Sequence, residues 1–291
     1  MIKKIIYILA FILPSLTLAE NITIIVPFSA GGAFDIMARK VDSFLHKLNY
    51  ETVVVDIPGA GGAVGVTKLL NSPPNTLMLT SPSIYVVMIE KNLALDNFKI
   101  ISIMGEVPQI LAVRKDRNLT CEKLKNDDKT YFLGSAGKDS QTSVPVYFIT
   151  EKYKHFIEVP YKGANLALLD VLSGQIDGVF LNGYSNQYKE IEFIANSSQK
   201  EFDGIPSLEK CFGIKKSFVG EYLLIASPNS DEKFIKNMNQ MMINFANSDE
   251  GQTYYKQVGI KNTVSDLAST TKTFKNSYNL WKQILKNRYE K

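Results

Sequence analysis

Short apolar runs alternate with amphipathic stretches along most of this chain. The segments ITIIVPF, TVVVDIP and TLMLT are apolar and rich in β-branched residues, so they predict strands. The stretch after the first strand repeats apolar residues at helical spacing, and its predicted buried face comprises Ile36, Met37, Val41, Phe44, Leu45 and Leu48. This order of strand, helix and strand predicts a mostly parallel sheet covered by helices.

A second series of the same kind follows the polar stretch RKDRNLTCEKLKNDDK. TYFLG predicts a strand, and GANLALLDVLSGQIDGVF predicts a helix that stops at Gly174 before a buried strand. Further along, Asn229, Ser230 and Asp231 are capping candidates for a helix. The methionines and phenylalanines of that helix have the spacing of core residues. A last helix is predicted from Leu267 to Tyr289, and 291 residues in two series favour two domains.

The first residues have the form of a secretory signal peptide. Two lysines precede an apolar run, and small residues follow it, which predicts cleavage after Ala19. The run from Ile5 to Leu18 has 14 residues, fewer than the roughly 20 that a spanning helix needs, so we expect no membrane anchor. Without residues 1–19 the chain keeps 31 basic against 29 acidic residues. That balance gives no reason to expect nucleic acid as a partner.

Cysteine and histidine are too few to predict a metal site. The two cysteines, Cys121 and Cys211, are candidates for a disulfide in an exported chain, although sequence alone does not show whether they come close. The two histidines, His46 and His155, do not have ligand spacing with either cysteine.

Enzyme and cofactor signatures are weak. In VVVDIPGAGGAVG the third small position of a dinucleotide-binding template falls on Val64, and no G-x-S-x-G elbow occurs. We therefore expect no cofactor and no catalytic residues. Five polar, mostly glycine-containing loops, FSAGG, TSPS, GSAGKDSQTS, PYKGA and LNGYS, instead follow predicted strands. Loops at the carboxyl ends of strands converge in open α/β sheets, which favours a binding cleft.

The loop FSAGG connects a strand to the first helix through two adjacent glycines. Glycine lets a ligand approach main-chain N–H groups, and a helix start adds the positive end of its dipole. The interpretation is an anion site, with an ordinary tight connection as the alternative.

Several motifs together resemble the substrate-binding proteins of tripartite tricarboxylate transporters, the Bug family. The motifs are VPFSAGGAFDIMARKV, VVVDIPGAGGAVG, GSAG, VPYKGANLALLDVLSGQID and the stretch from Ile205 to Leu208. The similarity extends from about Ile22 to the helix of Trp281. It implies a two-lobed periplasmic-binding-protein-like α/β architecture of type II, with a ligand cleft between the lobes.

The resemblance also implies a set of ligand-binding residues. Backbone N–H groups from both lobes would hold a carboxylate, partly through water. Asp35 could contact an amino group of a ligand or act only as a local cap, and Arg39 would pair with it along the helix. The full expected set is Phe28, Ser29, Ala30, Gly31, Gly32, Asp35, Ser81, Ser135, Ala136, Gly137, Thr142, Tyr161, Lys162, Gly163, Ala164 and Asn182.

Three departures from the family pattern affect the ligand more than the fold. Ser29 and Ala30 stand where the family usually has two prolines, Phe34 stands for a threonine, and Leu181 occupies a position that is commonly acidic. These departures allow a more apolar or differently substituted carboxylate.

We therefore expect a monomeric periplasmic solute-binding protein that delivers a small carboxylate to membrane transporter subunits. One lobe would comprise residues 20–112 and 226–291, and the other residues 113–225. A sensor that presents its closed form to a receptor is one alternative. A secreted α/β hydrolase is another.

Overall fold

The computed structural model describes residues 21–82, 84–85, 98–138, 140–183 and 188–289. The expected signal peptide, residues 1–19, lies outside these ranges. Within them, the named strands form two sheets of five strands each. No helix in these ranges is long and apolar enough to cross a membrane.

The first sheet has the strand order β2-β1-β3-β10-β4. Strands β1 to β3 are parallel, as the alternating pattern predicts, whereas β10 is antiparallel to both of its neighbours. Its strands are β1 (Asn21–Val26), β2 (Glu51–Asp56), β3 (Thr76–Thr80), β4 (Lys99–Val107) and β10 (Gly220–Ala226).

The second sheet has the order β7-β6-β8-β5-β9. The central strand β8 is parallel to β6 and antiparallel to β5. Its strands are β5 (Gln109–Arg114), β6 (Tyr131–Ser135), β7 (Phe156–Pro160), β8 (Gly178–Asn182) and β9 (Ile191–Asn196).

Helices cover both sheets. They are α1 (Ala33–Lys47), α2 (Ala63–Leu70), α3 (Cys121–Asn126), α4 (Ser143–Lys152), α5 (Ala164–Ser173), α6 (Leu208–Phe212), α7 (Glu232–Asn247), α8 (Asp249–Val258) and α9 (Leu267–Tyr289). In the first sheet, one face packs against α1 and α7, and the opposite face packs against α2 and α9. Trp281 on α9 is part of this core.

The buried face of α1 differs from the predicted one at two positions. Met37, Val41 and Leu45 are fully buried, but Ile36 and Leu48 are 39% and 42% exposed. Leu48 follows the last turn, beyond the sheet, and Ile36 faces the space between the two sheets. The expected pairing within α1 is present, with Arg39 Nε 2.8 Å from Asp35 Oδ1.

Two segments of chain cross between the sheets and are bonded to each other. The first crossover joins β4 to β5, and the second runs from β9 to β10. Gln109 N–H donates to Ser197 Oγ at 2.8 Å, and Ser197 N–H donates to Gln109 O at 2.8 Å. These bonds hold the crossovers side by side.

Strand membership departs from the expected limits of the second lobe, residues 113–225. β5 begins four residues earlier, at Gln109, and β10 belongs to the first sheet although it starts at Gly220. The reason is that the chain changes sheet at Pro108, and it returns before β10 rather than after it. Within the second sheet's half, Cys121 and Cys211 form a disulfide that joins α3 to α6, with their Cα atoms 5.1 Å apart.

Candidate functional site

A cavity of about 130 Å³ lies between the two sheets. Phe28 and Tyr222 line it from the first sheet's side, and Leu181 and Phe193 line it from the second. Since the carboxyl ends of β1, β6 and β8 lead into loops that reach the cavity, it occupies the position where open α/β sheets bind ligands.

Three helices begin at this cavity without a side-chain cap. The lining includes Ala33 at the start of α1, Thr142 before α4 and Ala164 at the start of α5. The N-cap residue of each helix accepts no side-chain hydrogen bond from the first turn. Because the first N–H groups of a helix have no partner within it, the donors at the starts of α1 and α5 converge here, together with three positive dipole ends. The start of α4 offers fewer donors, since Ser143 N–H donates to Ser140 O at 3.0 Å and Pro145 has no N–H.

The loop before α1 touches the loop before α5 across the cavity mouth. The Ser29 hydroxyl donates to Asn165 Oδ1 at 2.6 Å, and Asn165 Nδ2 donates to Ala30 O at 2.7 Å. Ser29 N–H also donates to Lys162 O at 3.2 Å. We call these three hydrogen bonds the loop latch. They bring the two sheets' halves together in a closed arrangement.

The close approach at the loop latch depends on Gly163. A Cβ atom at this position would lie 2.0 Å from Ser29 Oγ and 2.8 Å from Asn165 Oδ1, far inside normal contact. The latch therefore requires a residue without a side chain, which gives the glycine of the PYKG motif a steric role.

Two of the backbone donors expected to bind a ligand already have protein acceptors. Gly31 N–H donates to Asp35 Oδ2 at 2.7 Å, and Ala136 N–H donates to Thr142 Oγ1 at 2.8 Å. Each of these hydrogen bonds restrains a glycine-containing loop. The donors at the starts of α1 and α5 are consequently better placed to bind an anion.

Half of the expected residues line the cavity, and half do not. The lining ones are Phe28, Gly31, Gly32, Ala136, Thr142, Gly163, Ala164 and Asn182. The others are Ser29, Ala30, Asp35, Ser81, Ser135, Gly137, Tyr161 and Lys162.

The expected residues outside the lining have structural contacts instead. The Ser135 hydroxyl donates to Glu158 at 2.7 Å, and the Tyr161 hydroxyl donates to Asp170 at 2.6 Å. Burial, followed by that bond, raises the pKa of Tyr161 to about 12. Lys162 is exposed and joins the loop latch through its carbonyl. Their expected contact with ligand stays a prediction.

The motifs did not identify the apolar wall of the cavity. This wall comprises Ile36, Leu168, Ile191, Phe193, Tyr254, Val258 and Ile260, besides Phe34 and Leu181. A sequence signal was present only at Phe34 and Leu181, where the chain departs from the family pattern.

Gln141 joins the halves of the two sheets beside the cavity. Its Nε2 donates to Asn182 Oδ1 at 2.7 Å, and its Oε1 accepts from Glu221 N–H at 3.1 Å. The Glu221 side chain is buried, and this burial raises its pKa to about 7. The next residue, Tyr222, lines the cavity, and its hydroxyl donates to Asn182 O at 3.3 Å.

No protein-family model matches this chain. A protein of Agrobacterium vitis, described as the UPF0065 protein in the TAR-I ttuE-ttuC' intergenic region, is 30% identical over 187 residues, which cover 58% of this chain and 54% of that protein. BugT of Bordetella pertussis is 23% identical over 251 residues, which cover 76% of this chain and 75% of BugT. The chain is similar to proteins of the Bug family. It spans about half the length of the first of these relatives.

Solved structures agree with the Bug-family fold. Periplasmic binding protein BugD has a TM-score of 0.76 and 19% identity, covering 91% of this chain and 97% of BugD. The R. palustris protein Rpa4515 with adipate has a TM-score of 0.80 and 17% identity, covering 91% and 96%. MatC of Rhodopseudomonas palustris with bound malate has a TM-score of 0.78 and 18% identity, covering 91% and 98%. These likenesses confirm the two-lobed periplasmic-binding-protein architecture.

Proposed function

We propose that this chain is an extracytoplasmic solute-binding protein of the Bug type that captures a small carboxylate between two lobes. The observation that carries the proposal is the convergence of the uncapped starts of α1 and α5 on one cavity between the sheets. Unpaired N–H groups and positive dipole ends favour a negative group at that place. Two structural neighbours have carboxylates bound, adipate and malate, which supports the same class of ligand.

In this function, each sheet with its helices forms one lobe, and the paired crossovers form the hinge. Ligand would stabilise the closed arrangement by binding it more tightly than the open one. The loop latch and Gln141 both join the two lobes and would form on closure. In the cell, a monomer in the periplasm would present the closed form to membrane subunits of a tripartite tricarboxylate transporter.

The chain's histidines give no support to the hydrolase alternative. His46 is exposed on α1, beside Asp42, and His155 Nε2 is 2.8 Å from Leu124 O. Neither histidine lines the cavity. A serine hydrolase needs its base within hydrogen-bond reach of the nucleophile, so we do not propose this activity.

A thermal-shift screen of the purified chain tests the proposal. The panel contains mono-, di- and tricarboxylates, each paired with its amide, and the protein is first unfolded and refolded to remove carried-over ligand. A ligand at about 100 times its Kd stabilises by roughly 2.7 kcal/mol, which we expect to raise Tm by several degrees. A shift with an acid but not with its amide is the expected result. Equal shifts with both, or none with any acid, would contradict the proposal.

A further inference from the structure

We infer that the ligand has one carboxylate and an otherwise apolar body, an inference that rests on the proposed function. Its starting point is a second contact between the lobes, apart from the loop latch. A Cβ built on Gly183, at the end of β8, would lie 2.9 Å from the carbonyl oxygen of Val258, at the end of α8. Leu181, Val258 and Ile260 line the cavity beside this contact, with Asn182 as the polar exception. The wall around the second contact is therefore largely apolar.

Further lining residues extend the same apolar wall. Ile191 and Phe193 on β9 and Leu168 on α5 face the cavity from the second lobe. From the first lobe, Phe34 lies between two other lining aromatic rings, 4.9 Å from Phe28 and 4.6 Å from Tyr222 between ring centroids. Removing a hydrocarbon body from water against such surfaces is favourable.

A second carboxylate would find no charged partner in this cavity. Among the described lining residues, none is Lys, Arg or His, and none is Asp or Glu. Gln141 uses both ends of its amide on Asn182 and Glu221, and the Tyr222 hydroxyl donates to Asn182 O. A carboxylate placed against the apolar wall would lose its hydration without an ion pair in return, which is costly.

The volume limits the length of the ligand. The cavity holds about 130 Å³. An apolar protein cavity of about 150 Å³ is large enough to bind benzene. We therefore expect a body of about six carbon atoms, with its carboxylate at the starts of α1 and α5 and its tail against the apolar wall.

Hexanoate and adipate form a matched pair for the test, because they have the same number of carbons and differ only in a terminal methyl or carboxylate. Isothermal titration of the refolded chain with hexanoate, adipate and hexanamide gives three affinities. We expect hexanoate to bind at least 10-fold more tightly than adipate and more tightly than hexanamide.

The outcomes separate the inference from the proposed function. Adipate binding as tightly as hexanoate, or more tightly, would overturn the apolar ligand class and leave carboxylate capture standing. Hexanamide binding as tightly as hexanoate would overturn carboxylate capture. Binding by neither acid, nor by any acid of the screening panel, would overturn both.

A variant pair gives an independent measurement. Leu181→Arg places a cation in the apolar wall, so we expect the adipate-to-hexanoate affinity ratio to rise at least 10-fold. Leu169→Arg is the matched control, because Leu169 is 56% exposed and does not line the cavity. An unchanged ratio in a folded Leu181→Arg protein would overturn the placement of the tail.

Discussion

Helices that begin at the cleft differ from helices that begin elsewhere in how their first turns are satisfied. In α3, α6, α7 and α8, the N-cap side chains of Thr120, Ser207, Asp231 and Ser248 accept a hydrogen bond from the first turn. In α1, α2, α4 and α5, no such side-chain bond forms. Three of these four uncapped helices start at the cavity. The fourth, α2, starts beside Gly137 of the other lobe, where an added Cβ would lie 3.0 Å from Gly61.

The difference separates positions that serve stability from positions that serve binding. A side-chain cap is worth about 1 kcal/mol to a folded protein. The helices at the cleft forgo this contribution, and glycine occupies the N-cap of α1, α2 and α5. The donors at the starts of α1 and α5 stay available for a group that the chain itself does not supply. Three predictions test this separation, beginning with the largest effect.

Gly163→Val should abolish detectable binding of the best carboxylate. The new side chain would enter the space of Ser29 Oγ, so the loop latch could not form and the lobes could not close. We expect the Tm of the unliganded protein to change by only about 2 °C, since Gly163 lies at a loop rather than in a core. Titration calorimetry and a melting curve are the measurements.

Leu166→Val is a matched control for Gly163→Val, because Leu166 lies on the same helix, is 37% exposed and does not line the cavity. Binding by the Gly163→Val protein with wild-type affinity would contradict the role given to the loop latch.

Gly32→Asp should reduce carboxylate affinity about 100-fold, a loss of roughly 2.7 kcal/mol. Gly32 is the N-cap of α1 and has φ −79° and ψ 169°, an ordinary conformation for aspartate. The new carboxylate would cap α1 and occupy the place of the ligand's negative group. The free energy of unfolding should stay within about 1 kcal/mol of the wild-type value.

Gly32→Asn separates charge from size. It adds a cap of nearly the same shape without a negative charge, so we expect a loss of affinity several-fold smaller than that of Gly32→Asp. Equal losses in the two variants would indicate that the helix start is blocked by volume alone and does not bind an anion.

Asp231→Ala should change stability and leave binding alone. Asp231 Oδ1 accepts from Phe234 N–H at 2.7 Å, far from the cavity lining. Loss of this cap should lower the free energy of unfolding by about 1 kcal/mol and Tm by about 2–4 °C. Carboxylate affinity should stay within about 2-fold, and Asp231→Asn should restore most of the stability. An affinity loss without a Tm change would contradict the proposed division between helix starts that stabilise the fold and helix starts that bind the ligand.

Much of the fold follows from local patterns that sequence displays directly. The parallel order of β1, β2 and β3, the cap at Asp231 and the pairing of Asp35 with Arg39 all depend on residues within one element or its neighbour. The antiparallel β10 and the sheet orders depend on pairing between distant segments, which periodicity does not encode.

The candidate site was also only partly predictable from sequence patterns. Glycine motifs located the loops before α1 and α5, because a bare turn is visible in sequence. The motifs did not show that Gly31 N–H and Ala136 N–H would be taken up by Asp35 and Thr142. The motifs also did not identify the apolar wall. Ile260 and Phe193 can be distinguished from core residues only when the two lobes are seen together.

The loop latch contains no charged group. Its donors and acceptors are the hydroxyl and N–H of Ser29, the side-chain amide of Asn165, and the carbonyl oxygens of Ala30 and Lys162. Dissolved ions screen interactions between charges far more strongly than they weaken short hydrogen bonds between neutral groups. Closure at this mouth should therefore be nearly independent of ionic strength.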